Sequence, residues 1–187
     1  APDRHFSYRP LLVAEPFGAG EVRTFPLTRL AEAAGASFVE AIVTDVDSDR
    51  HVVRTAAGDE LPFDLLLLTP GAIPAEAVPG ALCFRGPGDA AALRELLADA
   101  GSGTIDRVTF AVPSGTTWPL PLYELALLTR SYLVDEGAVD VSVALVTPED
   151  TPLGIFGPSA SDAISELLEA RGVELSLSTT PLAFSDG

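Results

Sequence analysis

The clearest candidate for ligand binding is the turn after a predicted strand at 107–113, within the segment PSGTTWPLP. In a strand-turn-helix unit, the backbone N–H groups of this turn and of the first helical turn can bind phosphate. Ser114 and Gly115 occupy the turn, but a dinucleotide fingerprint needs three glycines where this turn has one. Prolines also remove three backbone donors, at Pro113, Pro119 and Pro121. Two interpretations stay open, pyrophosphate binding and a purely structural turn.

The acidic pair Glu149 and Asp150 is the second candidate, because it follows a predicted strand at 139–146. An acidic side chain at the end of the second strand of a nucleotide-binding unit can bind the ribose hydroxyls. No arginine follows closely, so we expect NADH rather than NADPH if a dinucleotide binds. The alternative is that both carboxylates only solvate a loop of an acidic chain.

Three further side chains could react or bind a ring. Ser114 lacks the G-x-S-x-G elbow of a hydrolase nucleophile, so hydrolysis is disfavoured. Cys83 lies between apolar neighbours in ALCF, which favours a small buried hydrophobe over a redox thiol. Trp118 is the only tryptophan and can either stack on a planar ring or pack within a core or an interface. The two histidines and this cysteine lack the spacing of a zinc site.

The second half of the sequence predicts the elements that would position these residues. Helices predicted at 89–100, 119–136 and 161–171 alternate with strands at 107–113, 139–146 and 173–178, and Asp89 stands at the cap position of the first helix. The middle helix has one apolar stripe, formed by Leu122, Leu125, Ala126, Thr129 and Leu133. Because strands joined by crossover helices run parallel, we expect an α/β fold with a Rossmann-like parallel sheet.

The first half has a different pattern. A short helix is predicted at 28–34, and the runs SFVEAIVTDVD, HVVRTAA and ELPFD predict a three-stranded antiparallel meander. The run DLLLLTPG at 64–71 indicates a strand buried on both faces, and the first twenty residues indicate a packed loop. A stretch rich in proline and glycine at 71–88 separates the halves, which predicts domains at 1–75 and 76–187.

Composition excludes several classes of partner. The chain has 27 acidic and 11 basic residues among 187, a net charge of −16 that repels nucleic acids and anionic membranes. One cysteine allows no intrachain disulfide, and the apolar runs are too short to cross a bilayer. We therefore expect a cytoplasmic chain without membrane insertion.

Four segments resemble, in this order, the FAD-dependent pyridine nucleotide-disulfide oxidoreductases, above all the sulfide:quinone reductases and type II NADH dehydrogenases. They are YRPLLVAEPFGAGE, the meander through DLLLLTPGA, FAVPSGTTWPLPLYELALL and VALVTPEDTPLGIFG. The resemblance implies that the meander belongs to a partial FAD-binding domain and that the second half is an NAD(P)-binding-like Rossmann domain truncated at its C-terminus. It also implies electron transfer from a donor such as NAD(P)H through FAD to a small-molecule acceptor. The alternative is a non-catalytic nucleotide-binding or interaction module.

The same resemblance assigns cofactor contacts but no catalytic residue. The residues expected near the flavin are Pro10, Ile42, Val43, Thr69, Pro70 and Gly71. On the NAD(P)H side the candidates remain Ser114, Gly115 and Glu149. Trp118 stands where sulfide-oxidising members have a catalytic cysteine, so a thiol relay and sulfide oxidation are disfavoured.

Two segments of such enzymes do not occur in the sequence, the strand with G-x-G-x-x-G and the G-D segment with its C-terminal domain. We therefore expect an internal fragment of a longer enzyme. Because flavin chemistry belongs to a cofactor that needs its binding loop, the isolated fragment should bind FAD weakly and be inactive. Exposed strand edges predict a homodimer.

Overall fold

A computed structural model of the chain describes residues 4–71 and 77–184, and their contacts form two compact units. The first unit takes its described residues from Ala1–Tyr8 and Arg23–Ile73, and the second from Arg9–Val22 and Pro74–Gly187. The short segment Arg9–Val22 thus packs with the second unit although it lies early in the sequence. The assignment of the two halves to FAD-binding and NAD(P)-binding domains stays a prediction.

The second unit is built on a parallel sheet, as the alternation of helices and strands predicted. Its strands are β6 (Arg107–Ala111), β7 (Ser142–Val146) and β8 (Val173–Ser176), hydrogen-bonded in that order. Its helices are α2 (Ala90–Gly101), α3 (Leu120–Asp135) and α4 (Pro158–Ala170). The predicted α/β fold class is confirmed.

The core of the second unit combines the sheet with the apolar face of α3. In the predicted stripe Leu125, Ala126, Thr129 and Leu133 are buried, while Leu122 is half-buried. Leu97 of α2 and Val143 and Leu145 of β7 belong to the same core cluster. Tyr123 is also fully buried and belongs to the same core cluster, although it lies outside the stripe.

The first unit contains a two-stranded ribbon, a short helix and a three-stranded meander. The ribbon pairs β1 (His5–Tyr8) with β2 (Arg23–Pro26), and α1 (Leu27–Ala33) follows. The meander consists of β3 (Val43–Asp47), β4 (Val52–Thr55) and β5 (Glu60–Pro62), all antiparallel as predicted. The ribbon replaces part of the loop expected over the first twenty residues, because β1 finds its partner beyond that window.

The predicted buried strand at 64–71 is wrong. These residues form no strand in the described structure, and Leu65, Leu67 and Leu68 are 90%, 82% and 61% exposed. A strand needs a neighbour that pairs its backbone groups, and no described strand is hydrogen-bonded to this segment. Leu66 is half-buried, so three of the four leucines are exposed, and we call the four residues the leucine row (Leu65–Leu68).

Asp89 does not cap α2 with its side chain, contrary to the sequence prediction. Its Oδ2 atom accepts hydrogen bonds from the backbone N–H groups of Arg85 and Gly86, at 2.7 and 3.0 Å. These bonds close the short 3-10 turn Pro87–Asp89 that leads into the helix. The Asp89 side chain therefore binds backbone N–H groups before the helix and not those of its first turn.

Candidate functional site

The loops that follow the three parallel strands form the candidate site. The β6–α3 loop (112–119) contains Ser114 and Gly115, and the β7–α4 loop (147–157) contains Glu149 and Asp150. Because parallel strands end at the same edge, the structure brings these predicted residues to one edge of the sheet. Ligands of open α/β sheets bind at this carboxyl edge. Gly115 has a φ of 79°, a left-handed conformation that favours glycine.

A buried hydrogen-bond network joins α3 to the β7–α4 loop. The Tyr123 hydroxyl donates to Oε2 of Glu149 at 2.7 Å, and the Thr147 hydroxyl donates to the same oxygen at 2.8 Å. Tyr123 and Thr147 are fully buried, and the Thr147 hydroxyl also accepts the Glu149 backbone N–H at 3.3 Å. The other carboxylate oxygen of Glu149, Oε1, has no hydrogen-bond partner within residues 4–71 and 77–184. Glu149 thus holds the loop through one oxygen and keeps the other available.

Burial decides the protonation of two side chains on α3. Burial, and after it the neighbouring Glu149 carboxylate, raises the pKa of the Tyr123 hydroxyl well above its ordinary value, so it remains a hydrogen-bond donor at neutral pH. Burial also raises the pKa of the adjacent Glu124 carboxyl group.

The β7–α4 loop has a fixed course after the network. The Asp150 carboxylate accepts the Ser178 hydroxyl at 3.0 Å, which ties the loop to the segment after β8. Leu153 is buried and takes a φ of 52°, a left-handed conformation that an L residue adopts only under constraint. The Ser161 hydroxyl donates to the Pro152 carbonyl, which joins the loop to α4. These contacts lead directly into the exposed turn Gly154–Phe156.

Two aromatic rings meet at the surface of this edge. Trp118 of the β6–α3 loop and Phe156 of the β7–α4 loop have ring centroids 5.2 Å apart with planes at 75°, an edge-to-face pair. They are 56% and 44% exposed, and Ile155 beside them is also exposed. We call these two side chains the aromatic pair. The structure thereby supports the ring-stacking or interface interpretation of Trp118 over the core interpretation.

Charge is segregated across the sheet of the second unit. The described loops after the three strands (112–119, 147–157 and 177–184) contain two carboxylates and no arginine. Arginines instead act at the opposite edge, where Arg130 donates to the carbonyls of Val141 and Arg171, which precede β7 and β8. Arg107 begins β6 and pairs with Glu174 at 2.6 Å. These three described loops therefore offer no arginine or lysine to a phosphate group.

The residues expected near a flavin are spread over exposed positions. Ile42 precedes β3 and Val43 begins it, and both are more than half exposed. Thr69, Pro70 and Gly71 are exposed without regular secondary structure, and Pro10 is exposed in the segment that packs with the second unit. Ile42 and Val43 present exposed apolar side chains within the first unit.

Sequence reasoning missed the residues that organise the site. Tyr123, Thr147 and Phe156 were not assigned any contact, although each lies in a segment noted for the family resemblance. A buried tyrosine beside the apolar stripe was the one available signal, because buried tyrosines need a hydrogen-bond partner. Among the described residues, no group of His, Cys, Asp and Glu could hold a metal ion, and no helix is long and apolar enough to cross a bilayer.

No protein-family model matches the chain, and no curated protein matches its sequence. Solved structures do match. The sulfide:quinone oxidoreductase of the hyperthermophilic bacterium Aquifex aeolicus has a TM-score of 0.82 at 20% identity, over 98% of this chain and 45% of that one. NDH2 of Plasmodium falciparum in complex with NADH has a TM-score of 0.68 at 15% identity, over 94% and 42%. The NADH-bound water-forming NADH oxidase of Lactobacillus brevis has a TM-score of 0.60 at 16% identity, over 99% and 42%.

These similarities show the fold. The chain has the FAD-dependent pyridine nucleotide-disulfide oxidoreductase fold, which confirms the resemblance stated from the sequence. The chain spans less than half the length of each of the three structures. The activity of a complete protein is therefore a matter for proposal.

Because of this network, the Tyr123 hydroxyl should contribute to the free energy of unfolding by an amount that changes with pH. Tyr123→Phe leaves Oε2 of Glu149 with one buried donor fewer, which should lower the free energy of unfolding by about 1–3 kcal/mol at pH 7. The folded pKa lies above the unfolded value of about 10, so the hydroxyl contribution is complete below pH 10. Above that pH it falls by about 1.4 kcal/mol per unit until the folded pKa is reached.

Urea unfolding of the wild type, Tyr123→Phe and Tyr132→Phe between pH 7 and 11 measures both effects. Tyr132 is the matched control, since it lies on the same helix and its hydroxyl makes no hydrogen bond in the described part of the chain. The alkaline loss should be smaller in Tyr123→Phe than in the other two proteins. Equal alkaline slopes in all three would contradict the role given to the network.

Proposed function

We propose that this chain is an internal part of a cytoplasmic FAD-dependent oxidoreductase that passes electrons from NADH through FAD to a small-molecule acceptor. The observation that carries the proposal is the similarity to a sulfide:quinone oxidoreductase over 98% of the chain at a TM-score of 0.82. In this proposal the first unit contributes to an FAD-binding domain, and the second is the NAD(P)-binding-like domain. FAD, when bound, supplies the electron-carrying chemistry.

The carboxyl edge of the second unit supports NADH as the donor. Oε1 of Glu149 is available to accept a ribose hydroxyl, while the network through Oε2 fixes the carboxylate. An NADPH 2′-phosphate would meet two carboxylates there and no arginine in the three described loops. The proposed role of Glu149 is therefore to bind the ribose and to select against the phosphate. Ser114 and Gly115 remain the candidates for contacts with the pyrophosphate.

The absence of a thiol at position 118 favours direct transfer over a sulfur relay. A disulfide relay needs two cysteines that exchange bonds, and this chain has Cys83 alone. Cys83 is half-buried, and its Sγ lies 3.8 Å from the Ala81 carbonyl oxygen. In the proposed function Trp118 binds a ring and does not take part in sulfur chemistry.

A second candidate is a non-catalytic nucleotide-binding or interaction module. The β6–α3 loop favours it, because Pro113 and Pro119 lack the N–H groups that hold phosphates in nucleotide-binding loops. Oε2 of Glu149 is already engaged, which leaves one oxygen for a ligand. This module would bind without transferring electrons.

NADH titration tests the proposed donor site. We expect NADH to bind more tightly than NADPH, because the 2′-phosphate is repelled. Glu149→Gln should weaken NADH at least about tenfold, since a charge-assisted hydrogen bond to the ribose is worth about 1.5–3 kcal/mol. Calorimetry measures the affinities for NADH and NADPH in the wild type and in Glu149→Gln. Glu169→Gln is the control, because Glu169 is an exposed acidic residue of α4. Equal affinity for both nucleotides, unchanged by Glu149→Gln, contradicts this donor site.

Flavin absorbance tests the proposed relation to a longer protein. The purified 187-residue chain should be colourless and inactive with NADH, because the described loops 112–119, 147–157 and 177–184 contain no arginine for a diphosphate. The proposal expects the upstream coding sequence to contain G-x-G-x-x-G and the longer protein to carry FAD that NADH bleaches without oxygen. A longer protein without bound flavin would refute the oxidoreductase proposal, and stoichiometric FAD on the 187-residue chain would refute the proposal that FAD binding needs a further segment.

We also propose that the isolated chain forms a homodimer through the leucine row. Leu65 and Leu67 are more than four-fifths exposed, and apolar side chains in such a row are stabilised by a second apolar surface. Leu67→Lys should shift the chain from dimer to monomer in sedimentation velocity. Leu182→Lys is the control, because Leu182 is also 82% exposed but lies in the second unit. Monomer at every concentration of the wild type would refute the proposal.

A further inference from the structure

An open cavity lies at the edge of the parallel sheet opposite Glu149, and two arginines line it. Its volume is about 410 Å³. The residues that line it are Arg130, Ser131, Val134, Asp135, Ala170 and Arg171. Arg130 belongs to α3, and Arg171 directly follows α4. The ends of two helices thus bring two positive charges to one cavity of a chain that has 27 acidic residues.

Three backbone carbonyls hold the guanidinium of Arg130 in place. Its Nε donates to the Arg171 carbonyl at 3.2 Å, and its Nη1 donates to the Val139 and Val141 carbonyls at 3.2 and 3.1 Å. A guanidinium has further N–H donors on Nη2, and these make no hydrogen bond within residues 4–71 and 77–184. Arg130 therefore lines the cavity as a fixed cation with unused donors.

Arg171 adds a second cation with unused donors. Its Nη1 donates to the Ser131 hydroxyl at 3.1 Å, while its Nε and Nη2 make no hydrogen bond in the described part of the chain. Among the described residues, neither Arg130 nor Arg171 forms an ion pair. Other arginines do find a carboxylate, namely Arg4, Arg50, Arg54 and Arg107. Both charges at the cavity therefore lack a contacting anion.

Two features of the cavity oppose an anion, and the arginines outweigh them. The C-terminal ends of α3 and α4 lie at this edge with the negative ends of their dipoles. Arg130 offsets this field, because it donates to the carbonyl of the residue that follows α4. The exposed Asp135 carboxylate also lines the cavity and repels anions. Two arginines against one aspartate leave the lining residues with a net positive charge.

We propose that this cavity binds a phosphoryl group, either as free phosphate or as the phosphate ester of a small molecule. Phosphate oxygens accept hydrogen bonds from several directions, so one phosphoryl group can accept from both guanidinium groups. The cavity is larger than a phosphate ion, and Val134 and Ala170 can contact the organic part of an ester. The function proposed above neither requires nor predicts this site.

Phosphorus NMR tests the site with the purified 187-residue protein. Inorganic phosphate and glycerol phosphate are titrated separately at constant low ionic strength in chloride, and line broadening measures the two dissociation constants. We expect binding with dissociation constants of about 1–10 mM. Tighter binding of glycerol phosphate would support an ester as the ligand, and equal or weaker binding would support free phosphate.

Variants locate the binding on the cavity without changing Arg130, which binds three carbonyls. Arg171→Gln should weaken both ligands at least about fivefold, because one charged donor is lost. Asp135→Asn should strengthen binding about twofold, because the repulsion is removed. Arg107→Gln is the matched control: it removes the same charge at the same edge, but from an arginine that pairs with Glu174 at 2.6 Å. It should change the affinity by less than about twofold. Circular dichroism confirms that each variant is folded.

Four results would overturn the inference. They are no broadening up to about 20 mM ligand, an affinity that Arg171→Gln leaves unchanged, an affinity that Asp135→Asn fails to raise, and an equal loss in Arg171→Gln and Arg107→Gln. The last result would show that phosphate responds to the net charge of the protein and not to this cavity. The NADH and FAD experiments above are independent of all four results, so each proposal can fail separately.

Discussion

The hydrogen bond from Tyr123 to Glu149 connects the helix after one parallel strand with the loop after the next. The fully buried Thr147 hydroxyl donates a second hydrogen bond to the same carboxylate oxygen, which helps to fix the position of Glu149. A carboxylate oxygen that accepts hydrogen bonds from two buried hydroxyls cannot move away without leaving both hydroxyls without an acceptor. The course of the β7–α4 loop therefore depends on this contact together with the hydrogen bonds from Ser178 to Asp150 and from Ser161 to the Pro152 carbonyl.

Proline and charge together limit what this edge of the sheet can bind. A Rossmann-like sheet normally offers backbone N–H groups to phosphates at the loop after its first strand. Here Pro113 and Pro119 bound that loop, and Glu149 and Asp150 stand in the next one. The described loops 112–119 and 147–157 therefore offer a phosphate fewer backbone donors than a glycine-rich loop and no arginine. They also carry the exposed rings of Trp118 and Phe156.

The sequence predicted the elements of the second unit because local pattern and final packing agree there. The stripe on α3 is buried as expected, and strands of β-branched residues pair in the parallel order that crossover helices require. The strand prediction for residues 64–71 was wrong because four successive leucines indicate that the segment needs an apolar partner, but they do not indicate which residues provide it. Tyr123 escaped prediction since its burial depends on an acceptor 26 residues away, and side-chain pairing at that distance leaves no periodic signal.

The segregation of charge also sets the field along the helices of the second unit. Helices α3 and α4 begin at the carboxyl edge, so the positive ends of their dipoles lie there. Glu149 contacts Tyr123 in the first turn of α3, close to the positive end of that helix, and the guanidinium of Arg130 binds carbonyls at the opposite edge. Side-chain and backbone dipoles therefore point in opposite directions and cancel in part. The positive ends of the two helices therefore attract an anion at this edge less than they would without the two carboxylates.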